Sequence, residues 1–205
     1  MLQELLKKNK IILASGSPRR QQFFKDLNIP FTLKLFDVKE IYPDTLYKEE
    51  IPEYLARLKA KPFEGVLAKN EIAITSDTVV WLENEALGKP QNRTMAFEML
   101  QKLSGSKHEV ITSVCIKTNS FEKTITDSTF VYFSELTYDE INYYLDNYKP
   151  FDKAGSYGIQ EWIGFIGVEK IEGSYFNVMG LPVQKLYRAL KEIQNNESSA
   201  HETIL

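Results

Sequence analysis

The stretch that most constrains this chain is residues 71–82, "EIAITSDTVVWL". Twelve residues run without Gly or Pro, rich in β-branched and aromatic side chains, which predicts a long central strand. Its middle holds Thr75, Ser76 and Asp77 between two apolar runs. A carboxylate in such a setting is costly to bury without a partner. Asp77 is therefore either a strand-end carboxylate satisfied by backbone N–H groups, or a metal ligand or general base. A phosphatase of the haloacid-dehalogenase type would carry a second Asp two positions earlier, and that position is Thr75.

Around this strand the pattern alternates. Residues 11–14 read as a short buried strand, 19–27 as a helix with Phe23, Phe24 and Leu27 on one face, and 31–36 as a strand. Residues 49–70 read as a helix interrupted at Pro62, and 92–105 as a helix between an Asn92 or Thr94 start and a Gly105 stop. "HEVITSVCIKT" and "EKTITDSTFVYFSEL" form an antiparallel pair. Residues 137–148 open with the capping-box pair Thr137 and Glu140. "INYYLDNY" within that helix is a core face or an interface. "WIGFIGVEKIEGSYFNVMGLP" reads as strand, Gly173 turn, strand, and a last helix starts at Pro182. Helices and strands alternate first and strands cluster later, so the expected class is α/β with a mixed, partly antiparallel sheet flanked by helices.

At 205 residues the chain is expected to form one domain over 1–194, with room for two lobes around a cleft, followed by a polar, mobile tail at 195–205. The formal net charge is −3, so no general basic field points to a nucleic-acid polymer, and an anionic ligand must be drawn by local cations. The single cysteine, Cys115, excludes an internal disulfide and a cysteine-rich zinc site and is expected in the core. The N-terminal apolar stretch is too short for a signal peptide or a membrane span, so no membrane partner and a cytoplasmic location are expected.

"IILASGSPRR", residues 11–20, leaves a strand through small residues and presents two arginines at a helix start. Backbone N–H groups at such a start favour an anion, and arginine forks match phosphate oxygens. The spacing is neither a Walker A loop nor a nucleophile elbow. With His108 and His201 alone, a Ser–His–Asp triad has little to build from. Lys89 lies between Gly88 and Pro90, either a fixed charge for phosphate or a solvated loop lysine. In "DKAGSYGIQ" the Gln160 amide both donates and accepts, as reading a base edge requires.

Seven stretches in order, "LASGSPRR", "LARLKA", "SDTVV", "GKP", "LSGSKHEVITSV", "DKAGSYGIQ" and "SYFNVMGLP", resemble the Maf family of nucleoside triphosphate pyrophosphatases. "DKAGSYGIQ" is similar to its dTTP/UTP-hydrolysing branch. The resemblance implies an inosine-triphosphatase-like architecture and hydrolysis of a nucleoside triphosphate to the monophosphate and pyrophosphate. It also implies a divalent cation, Mg²⁺ or Mn²⁺, and a homodimer, with roles in clearing non-standard nucleotides and in division arrest. Carried over, Ser15, Arg19 and Arg20 fall on the phosphate-binding turn, and Lys59 and Lys89 on triphosphate-contacting positions. Glu40 falls on a metal-holding position, and Asp77 on the proton acceptor, with Asp77 also beside the metal. Arg19, Thr78 and Gln160 fall on positions that set the pyrimidine preference. The chain departs from the family in "FDVKE", which leads to Glu40 in place of the commoner acidic pair. It departs again after Gln160, where Glu161 and Trp162 replace a frequent glycine pair. The rival reading from another class is a nucleotide-binding regulator of division with little turnover, and the presence of a base and two lysines argues for the enzyme.

Overall fold

The structure is a computed structural model that describes Leu2 and residues 6–202, with side chains described as far as Ile193. Seven strands form one mixed sheet: β1 (Lys10–Leu13), β2 (Phe31–Leu33), β3 (Glu71–Leu82), β4 (Glu85–Leu87), β5 (Lys107–Lys117), β6 (Glu122–Phe133) and β7 (Val168–Glu172). The order is β2-β1-β3-β5-β6-β7, with β4 on β3. β1 is parallel to β2 and β3, and all other pairings are antiparallel. The helices are α1 (Pro18–Asp26), α2 (Glu50–Ala60), α3 (Arg93–Leu103), α4 (Tyr138–Tyr148), α5 (Trp162–Gly167), α6 (Tyr175–Val178) and α7 (Val183–Glu202). The expected mixed α/β class is what forms.

β3 organises the fold because both its edges are used. β5 pairs along residues 73–81, and the other edge carries β1 over 71–74 and β4 over 80–82. Residues 75–79 are left without a strand on that second edge. With side chains alternating at period two, Thr75, Asp77, Val79 and Trp81 face α2. There Ile51 and Leu55 pack on Val79 and Trp81, and the Thr75 hydroxyl donates to the Ala56 carbonyl at 2.6 Å. Ile74 and Val80 face the opposite layer and enter two separate clusters. One is built with α1 and α7 through Phe24, Leu186 and Leu190, and the other with α3 and α4 through Leu100, Ile141 and Tyr144. "INYYLDNY" thus supplies a core face, Ile141, Tyr144 and Leu145, while Tyr143 stays exposed. Cys115 is buried against Ala56 and Ala60, as expected of a packing cysteine.

Several local signals act as the sequence predicts. The α4 capping box forms in both directions. Asn92 caps α3 by accepting from the Met95 N–H at 2.9 Å, and Gly105 takes a φ of +64° just past the helix. The helix expected over 49–70 ends at Ala60, where a 3-10 turn at Lys61–Phe63 absorbs Pro62. The expected strand 31–36 keeps three residues.

Two expectations fail. Residues 162–167 form α5 before β7 begins, and the stretch after Gly173 is α6 rather than a strand. Ser174 caps α6 by accepting from the Asn177 N–H at 3.3 Å, and β6 already has β7 on its free edge. α7 continues to Glu202 along the backbone. The mobility expected of the tail rests on side chains from 194 onward and on residues 203–205, which lie outside the described residues. No helix of the described residues is long and apolar enough to cross a membrane.

Candidate active site

The unpaired stretch of β3 opens into a cleft of about 390 Å³. It lies where β1 ends and its chain turns away, the place at which open sheets with parallel strands form crevices. All nine residues singled out in the sequence line it: Ser15, Arg19, Arg20, Glu40, Lys59, Asp77, Thr78, Lys89 and Gln160.

The first wall is the turn into α1. Ser17 is the N-cap residue but makes no side-chain cap, and Pro18 stands in the first turn, so the first N–H groups of the helix are left uncapped by side chains. The buried Ser15 hydroxyl accepts from the Ser17 N–H at 3.3 Å and from Arg20 Nη1 at 3.4 Å. Arg20 is a strut as much as a charge. Its Nε donates to the Gly180 carbonyl at 2.7 Å, Nη1 also to the Ser76 carbonyl at 2.9 Å, and Nη2 to Thr78 Oγ1 at 3.0 Å. The Ser76 carbonyl is on the part of β3 that lacks a neighbouring strand, so the guanidinium stands in for one. Burial lowers its pKa to about 10, and the group stays charged at neutral pH. Arg19 reaches outward, with Nη1 3.4 Å from Asp152 Oδ2.

The second wall is a charge relay built on α2. Lys59 Nζ lies 2.6 Å from Asp77 Oδ1 and 3.1 Å from Glu40 Oε1, and Lys89 Nζ lies 4.0 Å from Glu40 Oε2. Burial pushes the Asp77 carboxyl above its ordinary range, and the pull of Lys59 and Arg20 offsets only part of that. Burial also opposes ionisation of Glu40, but Lys59, Lys89 and Arg20 outweigh it and hold the carboxyl low. The two carboxyls are thus shifted in opposite directions, Asp77 upward and Glu40 downward.

These two carboxylates are also the donors available to a cation. Among the described residues no group of three or more His, Cys, Asp or Glu side chains could hold a metal. Mg²⁺ commonly takes one or two carboxylates and completes its shell with water and substrate phosphate. Asp77 and Glu40, brought to the same lysine, fit that mode and no all-protein cage.

The third wall comes from residues 152–160. The buried Lys153 ammonium lies 2.8 Å from Asp152 Oδ1 and 3.1 Å from Glu161 Oε1. In the sequence alone, Asp152 and Lys153 form an ordinary surface pattern, a Lys beside an Asp, with nothing to mark them as part of a site. The distant partners Arg19 and Glu161 are what make it a site feature.

A family model described as Maf-like protein matches residues 10–193. The chain belongs to the Maf family. A protein of Flavobacterium johnsoniae named dTTP/UTP pyrophosphatase is 60% identical over 190 residues, covering 93% of this chain and 98% of that one. Proteins of the same name from Christiangramia forsetii and Bacteroides fragilis are 57% and 55% identical, covering 96% and 92% of this Maf chain and 100% and 98% of theirs. Among solved structures, a HAM1 protein from Coxiella burnetii is 15% identical with a TM-score of 0.49, over 90% of this chain and 99% of that one.

Proposed function

We propose that the cleft binds dTTP or UTP and hydrolyses the α–β phosphoanhydride to give the monophosphate and pyrophosphate. One observation carries the reading: a buried carboxylate, Asp77, sits 2.6 Å from Lys59 in a cleft lined by four further cations. That arrangement suits attack by water on a polyanion, and the relatives at 55–60% identity bear the matching name.

In this reading the turn at Ser15 and the open N–H groups of α1 receive phosphate oxygens. Arg19, Lys59 and Lys89 offset the charge of the triphosphate, and Arg20 adds its charge while holding Ser15 and Thr78 in place. Asp77 and Glu40 would hold a divalent cation such as Mg²⁺ or Mn²⁺, which would supply further charge neutralisation. The Asp77 carboxylate orients the attacking water and takes its proton, a task favoured by a carboxyl raised above its ordinary range. The bond to the bridging oxygen breaks, and pyrophosphate leaves among the cations. Thr78 and Gln160, which line the cleft, are assigned the pyrimidine preference in this reading.

The test is pyrophosphate release from dTTP, UTP, CTP, GTP and 7-methyl-GTP with Mg²⁺ or Mn²⁺, with Asp77→Asn alongside. Turnover of dTTP and UTP that is lost in Asp77→Asn supports the reading. Binding without turnover of any nucleotide would replace it with the regulator.

A further inference from the structure

Gln160 and Glu161 have an arrangement that the residue types alone do not disclose. Gln160 lines the cleft; its Nε2 lies 3.5 Å from Glu161 Oε1, while its Oε1 is buried and has no hydrogen-bond partner among the described residues. Glu161 is itself pinned. Its Oε2 accepts a short hydrogen bond from the Tyr144 hydroxyl, and its Oε1 takes the Lys153 ammonium at 3.1 Å. The Tyr144 hydroxyl in turn accepts from the Gly158 N–H at 3.0 Å. Both side chains lie directly on Gly158, where a Cβ would come within 2.8 Å of Gln160 Nε2 and of the Glu161 carboxyl carbon. A side chain at 158 would press on both of them.

A side-chain amide has two faces, related by a half-turn, that exchange a donor and an acceptor. An ionised carboxylate accepts only. Beside Glu161 the amide therefore turns its NH₂ toward the carboxylate, because the reverse would set Oε1 against a negative oxygen. That leaves Oε1 as an acceptor whose only remaining use is a donor from outside the protein.

We propose that Glu161 is a positioning residue for base selection: it fixes the Gln160 amide so that Oε1 accepts the imide N–H of uracil or thymine. This rests on the pyrophosphatase reading and adds the means by which the base is chosen. Uracil and thymine present N3–H, a donor, where cytosine presents a bare N3 lone pair. The held amide meets the first with a hydrogen bond and the second with two acceptors face to face. An amide free to flip would serve both bases.

The experiment compares wild type, Glu161→Gln and Tyr144→Phe for UTP and CTP, with steady-state kinetics and with calorimetric binding of the non-hydrolysable α,β-imido analogues. A glutamine at 161 offers either an oxygen or an NH₂, so Gln160 is released. The preference for uracil over cytosine is expected to fall roughly tenfold in both kcat/KM and Kd, with the kinetic change in KM rather than kcat. Tyr144→Phe frees one carboxylate oxygen and is expected to shift the preference the same way by less. It also decides the matter should Glu161→Gln fail to fold. An unchanged uracil-to-cytosine ratio in a folded variant, or no such preference in wild type, would overturn the proposal while leaving the pyrophosphatase standing. Absence of turnover in wild type would instead remove the enzyme reading, and the binding ratio would still test Glu161.

Discussion

The Asp77 carboxyl is held above its ordinary 3.8 by burial, although Lys59 lies 2.6 Å away. For a carboxyl raised on folding, the stabilising contribution is full below the unfolded value and is lost as pH climbs through the folded one. At neutral pH the ionised group is thus a net burden on the fold. Asp77→Asn is expected to lower kcat by about a thousandfold while raising Tm by roughly 2–4 °C at pH 8, the equivalent of about 1 kcal/mol in a chain of this size. The gain should shrink toward pH 4, where wild-type Asp77 is becoming neutral, and melting curves of both proteins at the two pH values read it. Glu40 has the opposite sign, with its carboxyl held low. Its contribution is present above 4.5 and fades as pH falls through its lowered folded value, so Glu40→Gln should gain no stability at pH 8. At this scale the sequence was informative wherever a residue type is rare in its setting, as with Asp77 inside an apolar strand. It was silent on Lys153, whose neighbour Asp152 is commonplace and whose second partner Glu161 only the turn at 154–160 brings to the ammonium.

Among the elements, α6 shows why a pattern can mislead. "SYFNVMGLP" has the aromatic and branched content of a strand, yet its backbone is claimed by the Ser174 cap at one end and by Asn177 in the middle. The Asn177 side chain, fully buried, donates to the Val110 carbonyl at 2.9 Å and to Thr129 Oγ1 at 3.0 Å, tying α6 across β5 and β6. Its own carbonyl accepts from Thr112 Oγ1 at 3.0 Å, and Thr112 meets Thr78 at 2.9 Å. A polar chain thus runs under the cleft from Asn177 to the residue that Arg20 holds. Asn177→Ala leaves the Val110 carbonyl short of a partner in a dry setting, at a cost of about 2 kcal/mol. The expected drop in Tm is roughly 4–8 °C, seen in a thermal melt. A melt unchanged from wild type would mean that packing alone seats α6. The caps of α3 and α4 were readable because a cap is local. The anchoring of α6 was not, because its partners lie 48 and 67 residues away.

For the molecule as a whole, the position of the cleft follows from which strands share an edge of β3. β1 departs at Leu13 and β4 arrives at Val80, and the gap between them exposes the stretch bearing Ser76, Asp77 and Thr78. The sequence indicated both flanking strands of the early sheet but contained no sign of β4, a three-residue segment after a tight turn. The gap itself was therefore invisible, even though its lining residues could be named. Its electrostatics are likewise a property of assembly. The chain carries a net −3, yet five cations and three carboxylates line the cleft, Lys153 and Asp152 among them. An anionic substrate is thus drawn by a local field against a weakly repelling whole, and such a field is screened by salt over about 8–10 Å. KM for UTP is expected to rise about fivefold between about 50 and about 300 mM KCl at fixed free Mg²⁺, with kcat changing less than twofold. Uridine, which lacks the phosphates, should bind with an affinity that salt leaves nearly unchanged. If uridine and UTP weakened in parallel, the effect would lie in the stability of the cleft rather than in attraction of the phosphates. The distinction matters because Arg20, a strut by its hydrogen bonds, is also proposed to attract the phosphates, and the salt response of the charged ligand separates the two roles.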